Sequence, residues 1–313
     1  MNNFLPVLIA TTLLWLALPA AAIEKNGFEL DDAAVAPDKI MEGGPPRDGI
    51  PALSSPEMLA ADEADYLRDT DQVLGVSING EARAYPTRIL VWHEIANDTI
   101  GGEPVAVTFC PLCGTGVVFS RKLDGRVLEF GVSGLLYNSD MLLYDRQTES
   151  LFSQIPGKAI SGTFKGKTLK KIPVHHTQWR AWRKEHPDSK VLSRKTGYQR
   201  DYDRYPYRGY EQSMQLMTAV EHRDRRYHPK DLVIGLSRGN KARVWPFHEL
   251  QQTEGRFRDE FDGETVTVEY NDNTQSARIL DANGEPLPAT TGFWFAWMTF
   301  YPHSSVFQAK QDE

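Results

Sequence analysis

The sequence predicts a mainly β fold with a few short helices, a β-rich α+β architecture made of two related β-units. Three features carry that prediction. Runs of β-branched and aromatic residues surround turn dipeptides such as Asn79-Gly80. Helix signals are short and few. One stretch also matches another without a gap: VLGVSINGEARAYP at 73–86 aligns on VIGLSRGNKARVWP at 233–246.

Taken in order, the chain opens on an apolar run, FLPVLIATTLLWLALPAAAI, before its first charged side chain at Glu24. The small residues Ala20-Ala21-Ala22 fit a signal-peptide cleavage site, so residues 1–22 are expected to be removed on export. Left uncleaved, the same run is long enough to anchor the chain in a bilayer. Either way the rest lies outside the cytoplasm, periplasmic or extracellular. Residues 23–70 form a lead segment: a loop over 24–50, rich in Gly, Pro and Asp and expected to lie outside the core, then a helix expected from Ser54-Ser55-Pro56-Glu57 to about Leu67.

The first β-unit is expected over 71–165. It begins with the hairpin around Asn79-Gly80, continues into a short helix opened by Pro86, and returns to strands. Residues 166–228 connect the units. There Thr177 is expected to cap QWRAWRKEH, with Trp179, Trp182 and His186 on one face. TGYQRDYDRYPYRGY at 196–210 follows, an ordered loop whose rings are expected to cover the seam between units. The second β-unit, 229–313, repeats the hairpin and opens its helix at Pro246. GGEPVAVTF at 101–109 matches DGETVTVEY at 262–270, and DMLLYD at 140–145 resembles WMTFYP at 297–302.

Composition narrows the function. A charged fraction of 25% and a hydrophobic fraction of 41% suit a soluble globular protein, and a net charge of -7 argues against nucleic acid as a partner. Membrane contact is expected only through residues 1–22. The sequence names no small-molecule or protein partner.

Both cysteines of the chain lie in VTFCPLCGTGVVF, at Cys110 and Cys113. The second unit carries Tyr270-Asn-Asp-Asn-Thr-Gln-Ser276 at that place, so the thiols are not an architectural requirement. A thioredoxin-like pair would need a helix starting at the first thiol. Here Gly114-Thr-Gly116 and Val117-Val-Phe119 favour a turn and a strand instead. That reading ranks low, and two others rank above it. One is a metal knuckle, whose further ligands would come from His93, Asp140 and Met141, holding a soft ion such as copper or zinc. The other is a local disulfide in a non-catalytic ligand-binding or interaction protein. An enzyme using His93 and Asp140 ranks third, because no nucleophile–base set, phosphate loop or paired-acid motif accompanies them. Asn138 is placed to bond the knuckle loop or to cap a turn.

The succession GGPPRDGIPAL, ARAYPTRILVWHEIAND, VTFCPLCGTGVVF, LLYNSDMLLYD, TQWRAWRKEHPDSKVLSRKTGY and RDYDRYPY resembles the prokaryotic family catalogued as domain of unknown function 3179. The likeness runs from about Ile40 to the C-terminus. It implies an exported protein with the Cys-Pro-x-Cys loop as a characteristic feature, and no activity. One departure is Phe152, where a tryptophan is expected.

Overall fold

β-branched residues around Asn79-Gly80 set the first hairpin. Gln72–Ile78 and Glu81–Pro86 pair antiparallel, with Val73 opposite Pro86. Asn79 and Gly80 between them both have positive φ, the mirror-image turn that suits right-twisted strands. Pro86, with its φ fixed near −62°, leads into the four-residue helix Thr87–Leu90. A computed structural model describes residues 22–309 and is strand-rich throughout, with four short α-helices among those residues. The leader expected over 1–22 falls outside them but for Ala22. Among the described residues no helix is long and apolar enough to cross a membrane.

The second hairpin repeats the first. Leu232–Arg238 and Lys241–Pro246 pair with Val233 opposite Pro246, and Pro246 leads into the helix Phe247–Leu250. Side chains correspond as well. Arg83 and Tyr85 both bond Asp98, and Arg243 and Trp245 both bond Asp259. Gly75 lies under the Trp182 ring and Gly235 under Trp297; a Cβ at either position would overlap the indole. The two indoles donate to Ser189 and Ser304 at 2.8 and 2.9 Å.

That pairing corrects one alignment. DMLLYD forms the strand Asp140–Asp145, whereas WMTFYP lies largely in the helix Trp294–Phe300. The helix Trp179–Glu185 resembles it in sequence: Trp179, Ala181, Trp182, Pro187, Ser189 and Val191 match Trp294, Ala296, Trp297, Pro302, Ser304 and Val306. The match was hidden because the residues between the tryptophans differ in polarity.

Three further expectations need correction. Residues 54–67 are not helical. Ser55 has φ +47°, and Met58–Ala60 pairs antiparallel with Lys190–Leu192, so sheet hydrogen bonds outweigh the capping signal. The cap of Trp179–Glu185 is Gln178, while Thr177 ends in the strand His175–Gln178. The lead segment is not all surface: Phe28, Leu30 and Ile40 are buried, and Ile40–Glu42 pairs with Leu135–Tyr137.

Two layers frame the thiols. Glu103–Cys110 and Thr115–Ser120 are adjacent strands of a nine-stranded sheet, which continues through Thr290–Phe293 into the second hairpin. Phe130–Tyr137 and Asp140–Asp145 belong to a separate five-stranded sheet. A shared apolar cluster joins the layers, with Cys110, Cys113, Val117 and Phe119 from one and Leu136, Met141, Leu143 and Phe152 from the other.

Candidate metal centre

The thiols occupy a tight turn between strands. Cys110 pairs with Thr115 across the turn, and the Cys113 N–H donates to Cys110 O at 3.2 Å. Gly114 closes the turn at φ +62°, and a Cβ there would lie 2.8 Å from the Phe293 ring, so both conformation and space call for glycine. The hairpin turn between Asn271 and Ser276, which aligns with it in sequence, has no thiol. Cys110 and Cys113 are unbonded to each other and are 1% and 0% exposed.

Asp140 meets them from the other layer. A sulfur of each cysteine and a carboxylate oxygen of Asp140 all lie within 4.8 Å of one another. The turn that delivers Asp140 is conformationally demanding: Asn138 and Ser139 have φ +56° and +61°, the doubly left-handed geometry of a two-residue hairpin. The Ser139 carbonyl accepts the Cys113 thiol at 3.2 Å. One Asp140 oxygen, Oδ2, accepts from the Ser153 hydroxyl and the Ile155 N–H, both at 3.0 Å. That fixes the carboxyl so that Oδ1 faces Cys113 Sγ at 3.7 Å.

Burial dominates the electrostatics. It pushes the Cys113 thiol well above its usual range, and the Cys110 sulfur and Asp140 add to the effect. Burial raises Asp140 to about 7 against the opposing hydrogen bonds from Ile155 and Ser153. Without a cation the centre therefore favours its protonated form. A soft or borderline cation would replace those protons. The spacing suits one. Tetrahedral zinc, with Zn–S of about 2.3 Å and Zn–O of about 2.0 Å, sets sulfur and oxygen about 3.5 Å apart, near the 3.7 Å between Cys113 and Asp140.

Of the residues singled out from sequence, Asp140 reaches the thiols and Met141 lies in their apolar cluster. His93 does not join them. Its Nδ1 donates to Pro51 O and its Nε2 accepts from the Tyr202 hydroxyl, both at 2.7 Å. Burial lowers its pKa, consistent with a neutral ring whose two nitrogens are both engaged. Asn138 binds neither the knuckle loop nor the sulfurs: its Oδ1 accepts the Glu221 N–H at 2.8 Å.

Two contributors escaped the sequence reading. Glu94, next to His93, is only 7% exposed and has φ +58°; burial and then the charge of Asp140 push its carboxyl up to about 8. Its carbonyl accepts the Phe109 N–H at 2.8 Å, one residue before Cys110. The second is the strap 196–221. Tyr207, Tyr210, Leu216 and Val220 pack onto the thiol cluster, and the strap is clasped to the Asp140 turn by Ser139–Thr218 and Asn138–Glu221 bonds. The density of tyrosine was visible in sequence, but its position over the thiols was not.

Fold and site together define a strand-rich protein with a buried dithiol–carboxylate centre under an aromatic strap. The chain belongs to the family described as protein of unknown function (DUF3179), whose pattern matches residues 47–304. No curated protein and no solved structure matches the chain.

Proposed function

We propose that this chain is an extracytoplasmic metal- or thiol-handling protein that binds one soft or borderline ion, zinc or monovalent copper, through Cys110, Cys113 and Asp140. The observation that carries the reading is the convergence of two sulfurs and one anchored carboxylate within 4.8 Å in a buried centre. The Ser153 and Ile155 bonds to Asp140 support it, because metal ligands are commonly oriented by such outer partners. The matched hairpins, helices and tryptophans support an internal duplication in which only the first unit carries the centre. The apolar run over residues 1–22 supports export.

The test is anaerobic metal loading of reduced protein, followed by elemental analysis and a thiol count. One ion per chain is expected, and none after Cys110→Ser with Cys113→Ser. Unchanged uptake in that double variant contradicts the reading.

A specific observation favours a second reading, thiol–disulfide exchange. The Asp140 carboxyl, facing Cys113 Sγ at 3.7 Å, is placed to take the proton of that thiol, working against the burial that raises the thiol's own pKa. Metal-free protein with both thiols oxidised to one internal disulfide, reversible with dithiothreitol, would select it.

A further inference from the structure

The strap over the thiol cluster contains a buried hydroxyl whose proton has no acceptor among the described residues. Tyr210 is held firmly in the strap. Its N–H donates to Tyr207 O at 3.0 Å, and its carbonyl accepts the Ser213 N–H at 3.1 Å. The Lys230 ammonium sits 4.1 Å from the centre of its ring. Lys230 is itself tied to the carbonyls of Ser213 and Gln215, so it clamps strap and ring together. The phenol oxygen at the end of this fixed ring is buried, and its proton has no acceptor among the described residues.

It lies on the thiol side of the fold. Tyr210 packs on the cluster holding Cys110 and Cys113. After burial, the charge of Cys113 is the largest influence raising its pKa, and Cys110 acts the same way. The Met217 N–H lies on the acceptor side of the phenol oxygen and opposes that shift, and nothing accepts the phenol's own proton. Two neighbouring strap hydroxyls are matched: Tyr202 with His93 and Thr196, and Tyr205 with Glu211. A buried hydroxyl left unsatisfied costs about 1–3 kcal/mol, and in native proteins it commonly marks a water or ion bound beside it.

The protein ligands also leave a position open. Cys110, Cys113 and Asp140 supply three donors, and tetrahedral zinc needs a fourth. His93 is committed to Pro51 and Tyr202. The Met141 thioether, though in the cluster, is a donor for monovalent copper more than for zinc. We infer that the fourth position takes a small exogenous ligand, a water at rest or a small anion, and that the Tyr210 hydroxyl donates a hydrogen bond to it. This rests on the metal reading and deepens it: the centre is of the open, three-ligand kind that zinc enzymes use, and not a closed structural knuckle.

The experiment is an azide titration of the full chain loaded anaerobically with Co²⁺, followed through the visible d–d bands of the cobalt. Wild-type protein is expected to show a saturable shift with one azide per cobalt. Tyr210→Phe, which removes only the hydroxyl, is expected to bind cobalt and to need about tenfold more azide, the effect of losing one hydrogen bond to an anion. Tyr205→Phe is expected to match wild type. Cobalt uptake with no response to azide overturns the open position. Equal azide affinity in wild type and Tyr210→Phe overturns the role of Tyr210. Failure of wild-type protein to bind cobalt removes the metal reading and takes this inference with it.

Discussion

Replacing Glu94 with glutamine should flatten the pH dependence of stability. In the metal-free fold the Glu94 carboxyl is pushed from 4.5 to about 8, by burial first and by the charge of Asp140 second. An acid with a raised pKa keeps its proton in the fold and releases it on unfolding. Its favourable contribution is thus complete below about pH 4.5 and is lost progressively as pH rises towards 8. The loss is about 1.4 kcal/mol per pH unit, so ~3 kcal/mol by pH 7. Asp140, raised from 3.8 to about 7, adds a loss of the same sign over a lower window. Urea denaturation of metal-free protein between about pH 5 and pH 7.5 measures the slope. Glu94→Gln cannot ionise, so its slope should be shallower than wild type by about 1.4 kcal/mol per pH unit. Parallel curves for the two proteins would refute the claim that Glu94 is buried as the neutral acid.

Other outcomes follow from the same geometry. Gly75→Ala should destabilise by at least the ~1–3 kcal/mol of ordinary overpacking, because its Cβ would overlap the Trp182 ring; thermal melting checks this, and Gly235→Ala against Trp297 should behave alike. Asp140→Ala should weaken metal binding at least about tenfold, while His93→Gln should leave it unchanged because both ring nitrogens are bonded elsewhere; competition with a chelator separates the two. Native reduced protein should resist alkylation at both cysteines and react at both in denaturant, since neither sulfur is exposed; equal rates in the two states would contradict the enclosed centre.

Local signals in the sequence were faithful wherever one period dominated. The hairpin at Asn79-Gly80, the short helices after Pro86 and Pro246, and the turn between two strands at Cys110 and Cys113 were all legible, because each rests on turn chemistry, proline and β-branched residues within a dozen residues. The helix expected from Ser54 failed for a long-range reason: Met58–Ala60 pairs with Lys190–Leu192, far along the chain. The site divided the same way. Asp140 was selected from the polar start of a strand, and it meets Cys113. Glu94 was invisible, since nothing local distinguishes a buried acid from a surface one. The position of Tyr210 over the thiols likewise depends on the path of a strap that has no regular period.

The central claim is that Cys110, Cys113 and Asp140 hold one metal ion, and X-ray absorption at the zinc edge of loaded protein tests it most directly. Two sulfur neighbours at about 2.3 Å and oxygen at about 2.0 Å are expected, with both sulfurs lost in the Cys110→Ser, Cys113→Ser variant. A shell of nitrogen and oxygen alone, with no sulfur, would contradict it.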